Sequence, residues 1–136
     1  MINIKEDFII DEKEFNNRDS ERLIKDIIDF VKITKEGRVL FVINSIDNGD
    51  KVALVAIARF LANNLEKSIH QEITPSEVAA FTSLTVKIVT ARLSDLTKQR
   101  IIRRIGQGKY VAAPYQMDSF IKKINKKYGG KNDKNK

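Results

Sequence analysis

The stretch from Thr74 to Val111 restricts the fold of this 136-residue chain more than any other. Thr74-Pro75-Ser76-Glu77 is a helix start. The threonine hydroxyl can accept from the amide of the third helical residue, Glu77 can reach back to the cap amide, and proline suits the first helical position. Val78, Ala79 and Phe81 or Thr82 then face inward, with Ala79 small where a second helix must cross close above. Thr82-Ser83-Leu84 makes a tight turn, Leu84 plugs the gap between the helices, and Thr85 caps a second helix running to about Gln99. Two β-prone runs follow, Ile101 to Ile105 and Lys109 to Ala112, joined through Gly106-Gln107-Gly108. The two glycines supply the positive φ that a tight hairpin requires.

With Val89 as the centre of the buried face of the second helix, Leu93 and Leu96 fall within about 40° of it. Lys87, Ala91, Ser94 and Lys98 lie on the opposite side, with Thr90 on one flank. Asp95 is near that line but not on it. Small residues allow close approach to a groove, while threonine and lysine reach base edges or phosphates. Arg92 sits nearer the core boundary, where a backbone phosphate or a neighbouring carboxylate is its natural partner. On the hairpin, alternation puts Ile101, Arg103 and Ile105 on one face and Ile102 and Arg104 on the other. One arginine is therefore expected near the protein surface and the other free to reach out, with Lys109 opposite and Gln107 at the tip.

These residues resemble the winged helix-turn-helix of MarR-type and related transcription regulators, whose pattern runs T-x-x-E-[LV]-A-x-x-[TL]-G-[VL]-[ST], then a recognition helix and a β-wing. Thr74, Glu77, Val78, Ala79, Thr82, Leu84, Thr85, Val89, Leu93 and Leu96 match without a gap. Ser83 departs from the pattern where glycine is usual, and a left-handed backbone there costs about 1 kcal/mol for a non-glycine residue. Ala91 departs where such families often place an arginine, which thins the base-reading set. The resemblance implies a mostly α chain with a small β-hairpin wing (α+β): a winged helix-turn-helix with additional N- and C-terminal helices.

The remaining chain divides around this core, taken as residues 49–114. Residues 1–17 mix acids with Phe8, Ile9, Ile10 and Phe15 without clear periodicity and read as a loose arm. Residues 18–48 hold a helix and a candidate strand. From Asn17 to Thr34, Leu23, Ile24, Ile27, Ile28 and Val31 form one helical stripe, with Asp19 or Ser20 as N-cap and Gly37 ending the unit. Val39 to Ile43 is a charge-free run compatible with either a buried strand or a helical turn, the flanking Gly37 and NSIDNGD favouring the strand. Asp50 then caps a helix from Lys51 to about Leu65, apolar over more than half its circumference and central to the core. Gln71-Glu72-Ile73 suits a brief strand beside the wing. Pro114 stops the hairpin, and residues 115–128 form a basic amphipathic helix through Met117, Phe120, Ile121, Ile124 and Tyr128. Residues 129–136 form a polar, basic tail too poor in apolar side chains to fold.

Charge is unevenly spread. Residues 1–50 carry twelve acids and eight bases, and residues 51–136 carry six acids and seventeen bases, for a total of +7. Such asymmetry points to an acidic partner for the C-terminal part, nucleic acid first, or to a solvated basic face with a tail. There is no cysteine, so no disulfide and no thiolate metal site, and a reducing cytoplasm is the expected location. No apolar run approaches the roughly 18 residues of a membrane span. The acidic N-terminus does not read as a signal peptide. The basic C-terminal helix lacks the tryptophan and long apolar face of a membrane-surface helix.

Enzymatic constellations are missing as well. His70 is the sole histidine and reads as a surface residue, Gly106-Gln107-Gly108 lacks the context of a phosphate loop, and Asp11, Glu12 and Glu14 read as solvated charge. No enzyme activity, cofactor or metal is expected. The expectation is instead a dimeric regulator that binds double-stranded DNA. Its contact set would be Thr74, Ser76, Thr85, Lys87, Thr90, Ala91, Arg92, Ser94, Lys98, Arg103, Arg104, Gln107 and Lys109. The helices outside the core are candidates for a homodimer surface or for packing on the parent domain. The alternative is a winged helix that serves protein–protein assembly in a transcription, replication or segregation complex. RNA is a lesser option, because an aromatic stacking surface is lacking.

Overall fold

The computed structural model describes residues 4–9 and 11–129. The elements in chain order are α1 (Ile4–Phe8), α2 (Glu12–Ile27), β1 (Val31–Ile33), β2 (Val39–Phe41), α3 (Asn48–Leu65), α4 (Pro75–Thr82), α5 (Val86–Lys98), β3 (Ile102–Gly106), β4 (Lys109–Ala112) and α6 (Pro114–Ile124). A π-helical turn, Asn125–Gly129, continues α6. The protein is mostly helical with two small antiparallel hairpins, β1–β2 and β3–β4.

Helix α3 is the axis of the core. Every residue from Val52 to Arg59 is buried, and α2, α4, α5, β1, β2 and β4 all pack on it. The fully buried Ala53 and Ala56 explain how so many neighbours approach one helix. The helix begins at Asn48 after Asp47, not at Asp50, and Asp47 makes no side-chain cap. The Asp50 carboxylate has stronger claims on it: it accepts from the Tyr128 hydroxyl at 2.7 Å and from Lys127 at 3.0 Å. A capping role was thus displaced by a tertiary one.

The N-terminal third departs most from what periodicity suggested. Residues 4–8 are helical and α2 begins at Glu12, so Asp19 and Ser20 lie inside the helix and are not its cap. Ile4, Phe8 and Ile9 remain exposed, while Ser20 is buried and its hydroxyl accepts from Asn64 at 2.7 Å. Helix α2 ends at Ile27, and Val31, counted into its stripe, is a strand residue paired with Phe41. β-branched Val31 and Ile33 gain a ladder with β2 across a turn in which Gly37 takes φ 91°. The run at Val39 to Phe41 is accordingly a strand.

Helix α6 begins at Pro114, so the proline that stops the hairpin also starts the next helix. Its apolar side, Met117, Phe120, Ile121, Ile124 and then Tyr128, is buried within the chain. Asp118 pairs with Arg22 at 3.1 Å, Asn125 donates to the Asp26 carbonyl at 2.7 Å, and the Phe30 and Tyr128 rings meet edge to face. This helix therefore packs on its parent chain through α2.

Arg59 ties the pieces together. It is 4% exposed, and its guanidinium donates to the carbonyls of Gly37 (2.6 Å), His70 (3.1 Å) and Glu72 (2.8 Å) and to the Glu77 carboxylate (2.6 Å). The same cation lies 5.6 Å over the Phe81 ring. Gly37 must be glycine twice over: for its φ, and because an added Cβ would sit 3.2 Å from Arg59 Nε.

Two stability measurements follow. Arg59→Met leaves three carbonyls and Glu77 without their donor and should lower unfolding free energy in urea by on the order of 3 kcal/mol. Arg59→Lys should recover only part, since an ammonium cannot span the fork. At alkaline pH, burial raises the Tyr128 phenol above its ordinary value of 10.0, and the Asp50 carboxylate reinforces this. Asp47 and Asp50 likewise raise Lys127 above its ordinary value. Both groups favour their protonated forms in the fold, so their stabilisation is complete below pH 10 and is lost as pH rises through the folded values. Wild type should therefore lose stability above pH 10 more steeply than Tyr128→Phe; parallel curves would contradict this.

Candidate nucleic-acid interface

Helices α4 and α5 are set by their own caps. Thr74 Oγ accepts from the Glu77 amide at 3.2 Å, and Glu77 accepts from the Thr74 amide at 3.2 Å, completing the capping box with Pro75 in the first turn. Ser83 ends α4 in the left-handed region, at φ 64° and ψ 18°. The Thr82 hydroxyl stitches the turn, donating to the Val78 carbonyl at 2.7 Å and accepting from the Leu84 amide at 3.3 Å. Thr85 Oγ then accepts from Ile88 at 3.2 Å and starts α5. Val89, Leu93 and Leu96 bury one side of α5 against α3 and α4.

The opposite side is open. Lys87, Thr90, Ala91, Ser94 and Lys98 are all exposed, as are Thr85 and Ser76. Three residues after α5 the chain enters β3, which packs against it, so the hairpin leaves directly from the C-terminal end of that helix. Arg100 makes this short connection with φ 64°, a left-handed position without glycine that the sequence did not disclose. Ile73 bridges to Tyr110 through paired backbone bonds of 2.8 and 3.0 Å, adding a third short rung beside β4.

At the hairpin base Ile101, Ile102, Val111 and Ala112 are all buried, Tyr110 beyond them is half-buried against the core, and the tip is open. Arg103 and Arg104 are consequently both exposed, and neither is held against the protein as strict alternation suggested. A bulge between Arg104 and Gly106 shifts the register and leaves Ile105 44% exposed. Gln107 and Lys109 are exposed at the tip. The side chains of Lys87, Lys98, Arg103 and Lys109 make no ion pair or hydrogen bond with any described residue, and that of Arg104 donates only to the Gly106 carbonyl. From Val86 to Lys109 the chain carries seven bases against one acid, Asp95, and that acid lies 3.3 Å from Arg92.

Two residues of the expected contact set stand apart. Thr74 is half-buried and committed to its cap. Arg92 turns onto the flank of α5 toward Asp95, not onto the open line. Conversely, Val86 and Ile88 are exposed at the start of α5, where core periodicity gave no reason to look. His70 is exposed and lies 3.5 Å from Glu72. Among the described residues no His, Asp and Glu cluster is arranged to hold a metal, and no helix is long and apolar enough to cross a membrane.

Compared with known proteins, the chain matches no protein family, no curated protein and no solved structure.

The two kinds of hydroxyl on this surface separate by stability. Thr85→Ala removes a cap and should cost about 1 kcal/mol of unfolding free energy. Thr90→Ala and Ser94→Ala, on exposed positions without partners, should change it by less than about 0.5 kcal/mol.

Proposed function

We propose that this chain is a DNA-binding protein of the winged helix-turn-helix type, acting as a transcription regulator. Helix α5 enters the major groove and the β3–β4 hairpin follows the phosphate backbone or the adjacent minor groove. The observation that carries the reading is the unpaired, acid-free line Lys87, Thr90, Ala91, Ser94 and Lys98, continued by Arg103, Arg104 and Lys109. Cations without internal partners are available to phosphates, and small side chains beside them permit close approach to base edges. The order of α3, the Ile73 rung, α4, α5, β3 and β4 supports the same reading, as does the resemblance of Thr74 to Leu96. Thr85 serves the groove through its β-carbon and methyl side, since its oxygen caps α5.

A two-fold dimer belongs to this proposal. Its interface lies outside the apolar side of α6, which the chain buries against itself. Exposed Val86, Ile88 and Ile105 favour a second reading, in which this surface meets another protein.

Mobility-shift titrations on selected and random duplexes test the assignment. Replacing Lys87 and Thr90 with alanine together should cost about 1–3 kcal/mol on the selected duplex and relax its specificity. Arg104→Ala should weaken both duplexes alike and reduce the salt slope by about 1. Two chains should be found per selected site. Equal losses for both variants on both duplexes would sink the division of roles, and no retardation even at low salt would favour the protein partner.

A further inference from the structure

On the flank of α5, about a quarter-turn from its open line, a pocket of about 490 Å³ lies between the first turn of α3, the C-terminal half of α5 and the end of α6. Its volume falls within the roughly 300–1,000 Å³ usual for small-molecule sites. The floor is apolar: Leu96, Ile101, Phe120 and Ile124 are each less than a tenth exposed. The rim is cationic. Arg92, Lys123, Lys126 and Lys127 face Asp50 and Asp95, and Asp47 just outside the rim pairs with Lys127, four positive charges against three negative.

These cations are unequally engaged. Lys127 is spent on Asp47 at 2.6 Å and Asp50 at 3.0 Å. Lys123 and Lys126, one helical turn apart on the same side, pair with no described residue. Arg92 offers one terminal nitrogen to Asp95 at 3.3 Å, but its Nε is buried without a hydrogen-bond partner, the sole such side-chain atom among the described residues. A buried donor without an acceptor is costly unless a ligand satisfies it. Gly49 forms part of the wall and keeps the α3 side open, with Arg92 Cδ 3.9 Å from where a Cβ would stand.

We propose that this pocket binds a phosphomonoester with an apolar, ring-sized substituent. Its phosphate is held by Lys123, Lys126 and the Arg92 guanidinium, and its substituent rests on Leu96, Phe120 and Ile124. Two unspent ammonium groups beside a guanidinium match a phosphate's three terminal oxygens better than a carboxylate's two. The apolar floor selects an organic ester over free phosphate. The site is independent of whether the open line of α5 binds DNA.

Phenyl phosphate serves as the probe, with inorganic phosphate and benzyl alcohol as its two halves, each titrated into the full chain while amide resonances are followed by NMR. Phenyl phosphate should shift Gly49, Asp50, Gln99 and Ile124 saturably, binding at least about tenfold more tightly than either half. K123Q/K126Q, two exposed positions whose replacement spares the core, should weaken it by about tenfold or more, with R92Q acting in the same direction. Four outcomes would overturn the proposal: no saturable shift, inorganic phosphate binding as tightly as the ester, indifference to K123Q/K126Q, or shifts centred on Lys87 to Lys109.

Discussion

The fold hangs on one buried cation. Arg59 leaves the middle of α3 and donates to the β1–β2 turn at Gly37, to the loop before α4 at His70 and Glu72, and to the first turn of α4 at Glu77. Charge-assisted bonds of this kind are strong, and inside a core each one left unmade is expensive. Glu77 has two duties, since its other oxygen holds the Thr74 amide. The cap that starts α4 is therefore anchored to the central helix, and the orientation of α4 fixes that of α5, which packs on both.

A second closure sits at the first turn of α3. Tyr128 and Lys127 converge on Asp50, Tyr128 also accepts from the Asp47 amide, and the Phe30 ring meets Tyr128 edge to face. The C-terminal helix thereby seals the same core that Arg59 organises. Between these two clamps α5 is held by buried Val89, Leu93 and Leu96 while its other side stays bare. A rigid support with an unpartnered, cationic face is what the proposed docking on DNA requires. The pocket on the flank of the same helix uses the one arginine of α5 that the open face does not.

Local chemistry was the readable part. The capping box at Thr74, the left-handed Ser83, the Thr85 cap and the buried line of α5 each rest on successive groups no more than four residues apart, and each stands as the pattern suggested. The open line of α5 followed from that periodicity. The hairpin was legible as a hairpin, but not the exposure of both arginines, because alternation presumes one covered face and this hairpin is covered on both sides at its base and on neither at its tip. Thr74 keeps the capping role its motif suggested, and Arg92, near the core boundary, takes the neighbouring carboxylate; neither joins the open line.

What the amino-acid order determined alone, then, was the helix starts and stops and the faces they present, since hydrogen bonds and periodicities of one helical turn are written within a few residues. Tertiary structure decided where distant groups meet. Val31 reads equally well in a helical stripe and in a strand until β2 offers it a ladder. Asp50 looks like a cap until a tyrosine 78 residues away takes its oxygen. Arg59 is one of 25 bases in the sequence, and nothing local marks it as the buried one. Its acceptors lie 11 to 22 residues off, and only the packed chain brings them within reach of one guanidinium.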